Sequence, residues 1–482
     1  MFDLRSILYV IGLLMVPIGL SMLIPAFADA LVGHPDRDVF LSSSLITLFF
    51  ALVLILSNRG MTDSLHHKQA FLLTALAWIA LPAVAATPIF LSELNLSFTD
   101  AYFEAMSGLT TTGSTVIEGL DTAPPGILLW RGLLQWLGGI GIIVMAVAIL
   151  PMLKVGGMQL FKLEGSEASE KILPRAAELS GAITRLYIII SIACFLTLML
   201  VGMSPFDALV HAMTTVSTGG FSTSDGSIGY FDSLWVDWVV IFFMIVGSLP
   251  FIIMLQFVRG RPAALYKDDQ VRFFFGVIIM LTIAVTGWLV FFRDFSWVDS
   301  FRFGVFSIIT VMTGTGFATI DYGAWGGFSM SLFFMVMFLG GCAGSTSCGV
   351  KIFRYQILLA TLATEIKRLS MPHGVFITKF NGRPVNDEAV NSVMSFFFLF
   401  LVCYVTFAFL LSLTGLDFIT AISGAGTALA NVGPGLGEII GPAGNFSSLP
   451  DSSKWILSMA MLTGRLELFT ILVLFTPRFW QT

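Results

Sequence analysis

Charged side chains are scarce in this 482-residue chain. Asp, Glu, Lys and Arg together make up 11% of it and hydrophobic residues 56%, against about 25% charged in an average globular domain. That balance excludes a soluble enzyme or a nucleic-acid-binding protein and requires an integral membrane protein. Cysteine is also rare: Cys194, Cys342, Cys348 and Cys403 all lie in or beside apolar segments, with neither metal-ligand spacing nor a secreted disulfide pattern. Of five histidines (His34, His66, His67, His211, His373), only His211 falls at membrane depth, where helix packing is its expected role. HExxH, a haem-ligand set and a P-loop are all missing, so metalloprotease, redox and nucleotide-hydrolysing chemistries lack their residues. No GxGxxG follows a strand-like run, so control by ATP or NAD would have to come from a separate subunit. The chain reads as a non-enzyme with no cofactor of its own and no nucleic-acid partner.

What it has instead is long apolar runs. A spanning helix needs about 20 apolar residues, and ten runs qualify, near 7–28, 39–56, 70–91, 126–150, 183–203, 235–257, 271–292, 328–350, 391–413 and 454–476. The first ends in "PAFADA", which imitates a signal-peptide cleavage site. Its apolar stretch exceeds the roughly 7–15 residues of such a signal, so a retained helix is expected. Of the 25 Lys and Arg, 19 fall at the two termini or in 58–69, 151–185, 258–272 and 351–383. That bias predicts cytoplasmic termini. Residues 91–125, 204–238 and 414–453, on the opposite side, hold no Lys or Arg but five, four and three acids. An acidic vestibule of this kind raises the local cation concentration.

The opposite-side segments repeat: "SFTDAYFEAMSGLTTTGST", "SPFDALVHAMTTVSTGGFS", "SWVDSFRFGVFSIITVMTGTGFA" and "TGLDFITAISGAGTALANVGPGLG". Each begins with an Asp (Asp100, Asp207, Asp299, Asp417), continues with helical apolar spacing and ends in a Thr/Gly or Asn/Val/Gly cluster. From each Asp to the aligned Gly113, Gly220, Gly316 and Gly433 is 13, 13, 17 and 16 residues. A helix of about 10 residues is about 15 Å long, half of a roughly 30 Å hydrocarbon core. The chain must therefore dip in and return, and non-helical backbone at that depth has to be buried in protein or line a wet cavity. The Asp residues are expected as N-caps at the outer interface, which aims four negative helix C-termini at mid-membrane, where they favour a cation. Glycine lets carbonyls turn inward and threonine adds hydroxyls, so the clusters can replace the water shell of a small hard cation. The predicted architecture is an all-α integral membrane protein: four pseudo-repeats of helix, re-entrant loop and helix around one pore, plus an N-terminal helix pair. Its parts are 1–60 (the pair), 61–155, 156–262, 263–372 and 373–482 (repeats one to four).

These repeats, with "TTTGST", "STGGFS", "GTGFAT" and "ANVGPGLG", resemble the Trk/Ktr/HKT potassium transporter family, and the leading helix pair and length resemble its TrkH-type bacterial members. The resemblance covers nearly the whole chain and extends to "GGCAGSTSCGVKIFRY" at 340–355 and "LTGRLELFT" at 462–470. It implies that Gly113, Gly220, Gly316 and Gly433 are selectivity-filter glycines. Carbonyls of Thr111, Thr112, Thr218, Gly219, Gly314, Thr315, Asn431 and Val432 would face a transported potassium ion. Some sodium-preferring plant relatives carry Ser at the first glycine, so Gly113 implies potassium. Gly219 and Gly220 leave the second register open by one residue. "NVGPG" is similar to the potassium-channel "TVGYG" loop, with Pro434 in place of the aromatic. The family further implies a bacterial inner-membrane location, a homodimer with one pore per protomer, and a cytoplasmic ring of TrkA-type nucleotide-binding subunits docking on the basic segments 151–185 and 351–383.

A helix from Phe328 to Arg368 would be about 60 Å long, but "GGCAGSTSC" interrupts it. Gly340, Gly341 and Gly344 each weaken a helix by about 1 kcal/mol relative to Ala, and Ser345, Thr346 and Ser347 can satisfy freed backbone groups. Two readings follow: close helix packing through Gly340 and Gly344, or a mobile plug below the four loops, with Lys351 beside it. Family members use this loop as a gate. Arg465 lies mid-span, at a cost of at least about 2.5 kcal/mol. It either bridges to an acid on another helix or, as the family implies, forms a fixed positive barrier beneath the filter. Glu467, two residues on, points elsewhere on a helix. Arg302 is expected to pair with Asp299 at i,i+3. The main rival function is a secondary transporter of a small solute coupled to a cation gradient. Such proteins usually have two repeats and aim helix N-termini at anionic substrates.

Overall fold

The computed structural model describes residues 4–60, 67–148 and 172–481. Its N-terminal pair is α1 (Arg5–Val32) and α2 (Asp36–Ser57). In α1, Gly12 and Gly19 face α2 closely enough that a Cβ on either would sit 3.0 Å from α2 side chains. The Ser44 hydroxyl donates to the Gly19 carbonyl at 2.7 Å, which is the small-residue, polar-glue packing expected where lipid cannot drive helices together. The first repeat runs through α3 (Lys68–Leu91), short α4 (Phe98–Leu109) and α5 (Pro125–Ala148). The second comprises α6 (Ile172–Leu200), short α7 (Pro205–Val216), α8 (Leu234–Ser248) and α9 (Phe251–Val258). The third comprises α10 (Asp269–Phe292), short α11 (Trp297–Thr313), α12 (Gly327–Val336) and α13 (Ile352–Ser370). The fourth comprises α14 (Asp387–Leu413), short α15 (Phe418–Ala430), α16 (Asp451–Arg465) and α17 (Phe469–Phe475). A two-residue hairpin, Lys379–Phe380 with Arg383–Pro384, joins α13 to α14. The expected repeat boundaries at 61 and 155 lie outside the described residues.

Among the described residues, seven helices are long and apolar enough to cross a membrane unbroken. Their burial separates centre from rim: α5 buries 72% of its most apolar window, α2 and α14 only 28%. α5 is therefore the inner helix, and the rim helices present Leu, Ile and Phe to lipid. Two runs expected as continuous spans are bent, and the interruption expected after Phe328 is present. Run 235–257 bends by 104° between α8 and α9, and run 454–476 by 108° between α16 and α17. Run 328–350 is helical only to Val336. Proline causes the first break, because Pro250 lacks an N–H and disfavours helix before it. At the second, Glu467 and Leu468 take φ of 60° and 55°.

The short helices are capped one turn earlier than expected in three repeats. Ser97, Ser204 and Ser296 are the N-caps, each accepting from the N–H of Asp100, Asp207 or Asp299 and donating its hydroxyl back to that Asp at 2.6–2.7 Å. Only in the fourth repeat does the Asp itself, Asp417, cap the helix. Each of these three Asp residues stands at N3, the last place of a capping-box arrangement, three residues inside its cap. With the caps aligned, the distance to the glycine is 16 residues in repeats one, two and four and 20 in repeat three, an excess of about one helical turn.

Candidate ion pathway

All four short helices end alike. Thr111, Thr218, Gly314 and Asn431 adopt left-handed backbone, with φ of 53°, 52°, 72° and 52°. Each donates its N–H three residues back, to Gly108, Thr215, Val311 and Ala428. The next residues, Thr112, Gly219, Thr315 and Val432, donate five back, to Ser107, Thr214, Thr310 and Thr427, at 2.8–3.0 Å. This is the Schellman motif repeated four times. β-branched residues rarely take this conformation, so Thr111 and Thr218 are held there by their surroundings. The equivalence also settles the second register: Gly220, at φ 80°, corresponds to Gly113, Gly316 and Gly433 at 89°, 80° and 112°.

These glycines close a ring in chain order. A Cβ on Gly113 would lie 2.2 Å from the Gly219 carbonyl oxygen, and one on Gly220 1.7 Å from that of Thr315. One on Gly316 would lie 2.3 Å from the Val432 oxygen, and one on Gly433 2.9 Å from the Thr112 oxygen. No side chain fits at these four places. Each repeat thus sets a carbonyl against the glycine of the one before it, and the fourth returns to the first. Asn431 ties that last joint, donating from Nδ2 to Thr112 Oγ1 at 2.9 Å and to the Met461 carbonyl at 3.0 Å.

Two cavities flank the ring. On the side of the acidic segments, one of about 200 Å³ reaches Gly113, Gly220 and Gly316 between walls that include Glu118, Asp225 and Pro434. On the other side, a space of about 30 Å³ lies among Cys348, Lys351, Asn431, Arg465 and Glu467, enough for about two waters. It is small because the segment between α12 and α13 fills the region. That segment is pinched at its neck, where Gly340 N–H donates to the Val350 carbonyl at 2.9 Å and Val350 N–H to Phe338 at 3.2 Å. Gly340 and Gly344 therefore lie in a loop, which excludes the helix-packing reading.

The loop meets the lower ends of all four short helices. Thr346 Oγ1 donates to the Val216 carbonyl at 3.1 Å, Gly349 N–H to Ala430 at 2.8 Å, and Cys348 N–H to Thr313 at 3.4 Å. Cys348 Sγ lies 3.5 Å from Thr111 Oγ1. It also exchanges backbone bonds with the α8–α9 break: Thr346 N–H to Gly247, Cys342 N–H to Ser248, and Phe251 N–H to Gly344. Inside it, Ser347 Oγ accepts from Gly341 N–H at 2.8 Å, Ser345 Oγ donates to Cys342 at 2.6 Å, and Lys351 Nζ donates to the Ser347 carbonyl. Arg465, at the end of α16, is 4% exposed and places NH1 2.8 Å from Cys348 Sγ. Its Nε and NH2 have no partner among the described residues, so the bridge to an acid on another helix is absent. Glu467 turns instead to Arg354 NH2, 2.5 Å away. Arg465 thus lies beside the loop and Asn431 of the fourth turn, where the negative end of a short helix offsets part of its charge.

A family model described as TrkH, cation transport protein, matches residues 36–482. The chain belongs to the TrkH family. It is 43% identical to the Trk system potassium uptake protein TrkI of Halomonas elongata, over 98% of this chain and 96% of that one. It is 37% identical to the Trk system potassium uptake protein TrkH of Escherichia coli, over 99% of each. The crystal structure of the potassium transporter TrkH from Vibrio parahaemolyticus superposes with a TM-score of 0.92 at 36% identity, covering 100% of both chains.

In this TrkH-family chain, several residues of the site escaped the sequence reading. Arg131 on α5 pairs with Glu104 on α4 at 2.7 Å, both side chains at most 1% exposed. Glu104 also accepts from Val116 N–H and the Thr115 hydroxyl, while Arg131 NH1 donates to the Ser222 carbonyl at 2.8 Å. The pair fastens the return strands of repeats one and two. Its signal was legible: one cation inside an apolar run and one acid inside a short apolar helix. Losing one partner of such a buried pair costs about 3–5 kcal/mol, so Glu104→Gln should lower the melting temperature of the purified protein sharply. An unchanged melting curve would mean that the pair adds nothing. Gly138, Gly247 and Gly464 form a second unread pattern, each admitting the last-turn carbonyl of its repeat's short helix, Leu109, Val216 or Leu429. Arg302 pairs with Asp237 on α8 at 2.6 Å and not with Asp299, whose carboxylate is held by Ser296. His211, fully buried, bonds the Asp207 carbonyl and Ser222 Oγ, a packing role as expected.

Proposed function

We propose that this chain mediates potassium uptake across a bacterial inner membrane through the ring of main-chain oxygens. The observation that carries the proposal is the closure of four equivalent turns into one ring. Relatives that share the whole length are named potassium uptake proteins. In this reading the filter comprises Thr111, Thr112, Gly113, Thr218, Gly219, Gly220, Gly314, Thr315, Gly316, Asn431, Val432 and Gly433. The loop with Gly340, Gly341, Gly344, Ser345, Thr346, Ser347 and Lys351 is the gate, because it sits against the carbonyl ends toward which a cation would be drawn. Rubidium uptake into vesicles, with sodium and amino acids as competitors, tests the proposal. Inhibition by a small solute would favour a solute transporter instead. A reversal potential set by the potassium gradient alone would assign passive flow, and a shift with pH would assign coupling.

Arg465 is the permeation barrier in this reading, since a fixed cation below the ring repels an arriving one. Arg465→Ala should raise rubidium flux severalfold at equal expression, and Arg465→Lys should not. Equal flux in the two variants would remove the barrier. The excess of Lys and Arg in inner segments supports cytoplasmic termini. We also infer a homodimer with a pathway in each protomer. Its cytoplasmic face would dock a TrkA-type nucleotide-binding ring, for which Lys367, Arg368, Lys379 and Arg383 are exposed; segment 151–171 lies outside the described residues.

A further inference from the structure

The central residues of the four turns are Thr112, Gly219, Thr315 and Val432. In repeats one and three a hydroxyl pair braces the turn from within: Thr110 Oγ1 lies 2.7 Å from Thr112 Oγ1, and Thr313 Oγ1 2.7 Å from Thr315 Oγ1. Repeat four has Ala430 and Val432 at these positions and no hydroxyl pair; its Asn431 amide reaches outward instead, to Thr112 Oγ1 and the Met461 carbonyl. Repeat two has Ser217 at the first position of the pair but only Gly219 at the second, so it has no brace of its own.

A side chain from another repeat stands in that gap. Gln135 on α5 is fully buried, donates from Nε2 to the Gly219 carbonyl at 2.6 Å, and accepts the Phe221 N–H on Oε1 at 3.0 Å. It therefore grips the backbone on both sides of Gly220. A Cβ on Gly219 would lie 2.4 Å from Gln135 Cδ, so residue 219 is glycine because the amide occupies its side-chain space. Gly139 lets α5 come this close to the second repeat, since a Cβ there would be 2.9 Å from Ser217 Cβ and 3.2 Å from its Cα.

We propose that Gln135 is a positioning residue for ion selection: it sets the direction of the Gly219 carbonyl and hence the width of the ring between repeats one and two. The inference rests on the filter reading above. Gly219 O is also the atom that a Gly113 Cβ would strike, so freeing it loosens the joint between both repeats.

The test uses the full-length protein in vesicles and reads the rubidium-to-sodium permeability ratio. Gln135→Met keeps the volume and removes both hydrogen bonds; the ratio should fall roughly tenfold, with the protein still folded and inserted. Gly219→Thr alone should fail, because the new side chain meets the amide. Gln135→Ala combined with Gly219→Thr should recover much of the ratio, since the threonine can then pair with Ser217 as Thr112 does with Thr110. A purely structural Gln135 would give additive losses in the double variant and an unchanged ratio in the single one, and either result overturns the proposal. Gly220→Ala separates the two levels. If it changes the ratio while Gln135→Met does not, only the positioning role falls; if neither does, the filter reading falls as well.

Discussion

Gly220→Ala should nearly abolish potassium-selective uptake while the protein still inserts in the membrane. The added methyl would stand 1.7 Å from the Thr315 carbonyl oxygen, where real Cβ atoms are essentially never found, and φ of 80° adds about 1–2 kcal/mol for any L residue. Overpacking contributes about 1–3 kcal/mol more. Relief has to come from moving the third repeat's carbonyl, so the cost falls on the ring itself. A total of about 2–5 kcal/mol corresponds to roughly thirtyfold or more in rate. The four positions should form a graded series. Gly113→Ser and Gly316→Ala meet oxygens at 2.2 and 2.3 Å and should lower discrimination against sodium, while Gly433→Ala, at 2.9 Å, should be mildest. Gly276, with nothing within 4 Å, is the control. Rubidium and sodium uptake measured side by side, at matched amounts of inserted protein, decide the matter. A Gly220→Ala variant with full potassium preference would remove the proposed filter.

Loosening the loop between α12 and α13 should open a leak. The loop is held by backbone hydrogen bonds to Gly247, Ser248, Phe251, Thr313 and Ala430 and by the Thr346 hydroxyl, which donates to Gly247 at 2.8 Å as well as to Val216. A typical hydrogen bond adds about 1 kcal/mol net. Thr346→Val keeps the shape and removes the hydroxyl, leaving the Val216 carbonyl short of its donor while Gly247 keeps the Thr346 N–H, and should raise passive rubidium flux about fivefold. Replacing 342–347 by a short glycine link removes most anchors and should raise flux well beyond tenfold. Flux that stays at the parent level in Thr346→Val, or falls in both variants, would mean that the loop is not what closes the pathway. Joined to Arg465→Ala, Thr346→Val should give less than the sum of the two effects, because Arg465 NH1 reaches Cys348 in the same loop and contacting sites couple.

The departures from the expected structure have one physical source. Hydropathy marks where a short helix begins only to within a turn, so it does not separate Asp100, Asp207 and Asp299 from the serine three residues earlier; which hydroxyl meets an N–H decides the cap. Runs 235–257 and 454–476 read as whole spans because mean hydropathy is blind to a bend. Pro250 in the first run and Gly464 in the second were visible, but neither alone dictates an angle above 100°. Arg302 was assigned to Asp299 because i,i+3 is the neighbour a sequence can see, whereas Asp237 lies 65 residues away in the chain. Gln135 stands in no motif, and Cys348 carries no role that spacing can assign, since an amide in an apolar helix and a cysteine in a glycine-rich loop acquire meaning only from what they touch.

From sequence alone came the membrane class, the fourfold repeat, the short helices and the four glycines, because each is written in local chemistry: spans by hydropathy and length, tight turns by glycine. The tertiary structure decided what those parts do to one another. It closed the ring in chain order, chose Gly220 over Gly219, bent two inner helices, and set a single loop against four helix ends with Arg465 beneath. Those outcomes depend on distances between residues up to hundreds of positions apart, which spacing along a chain does not encode.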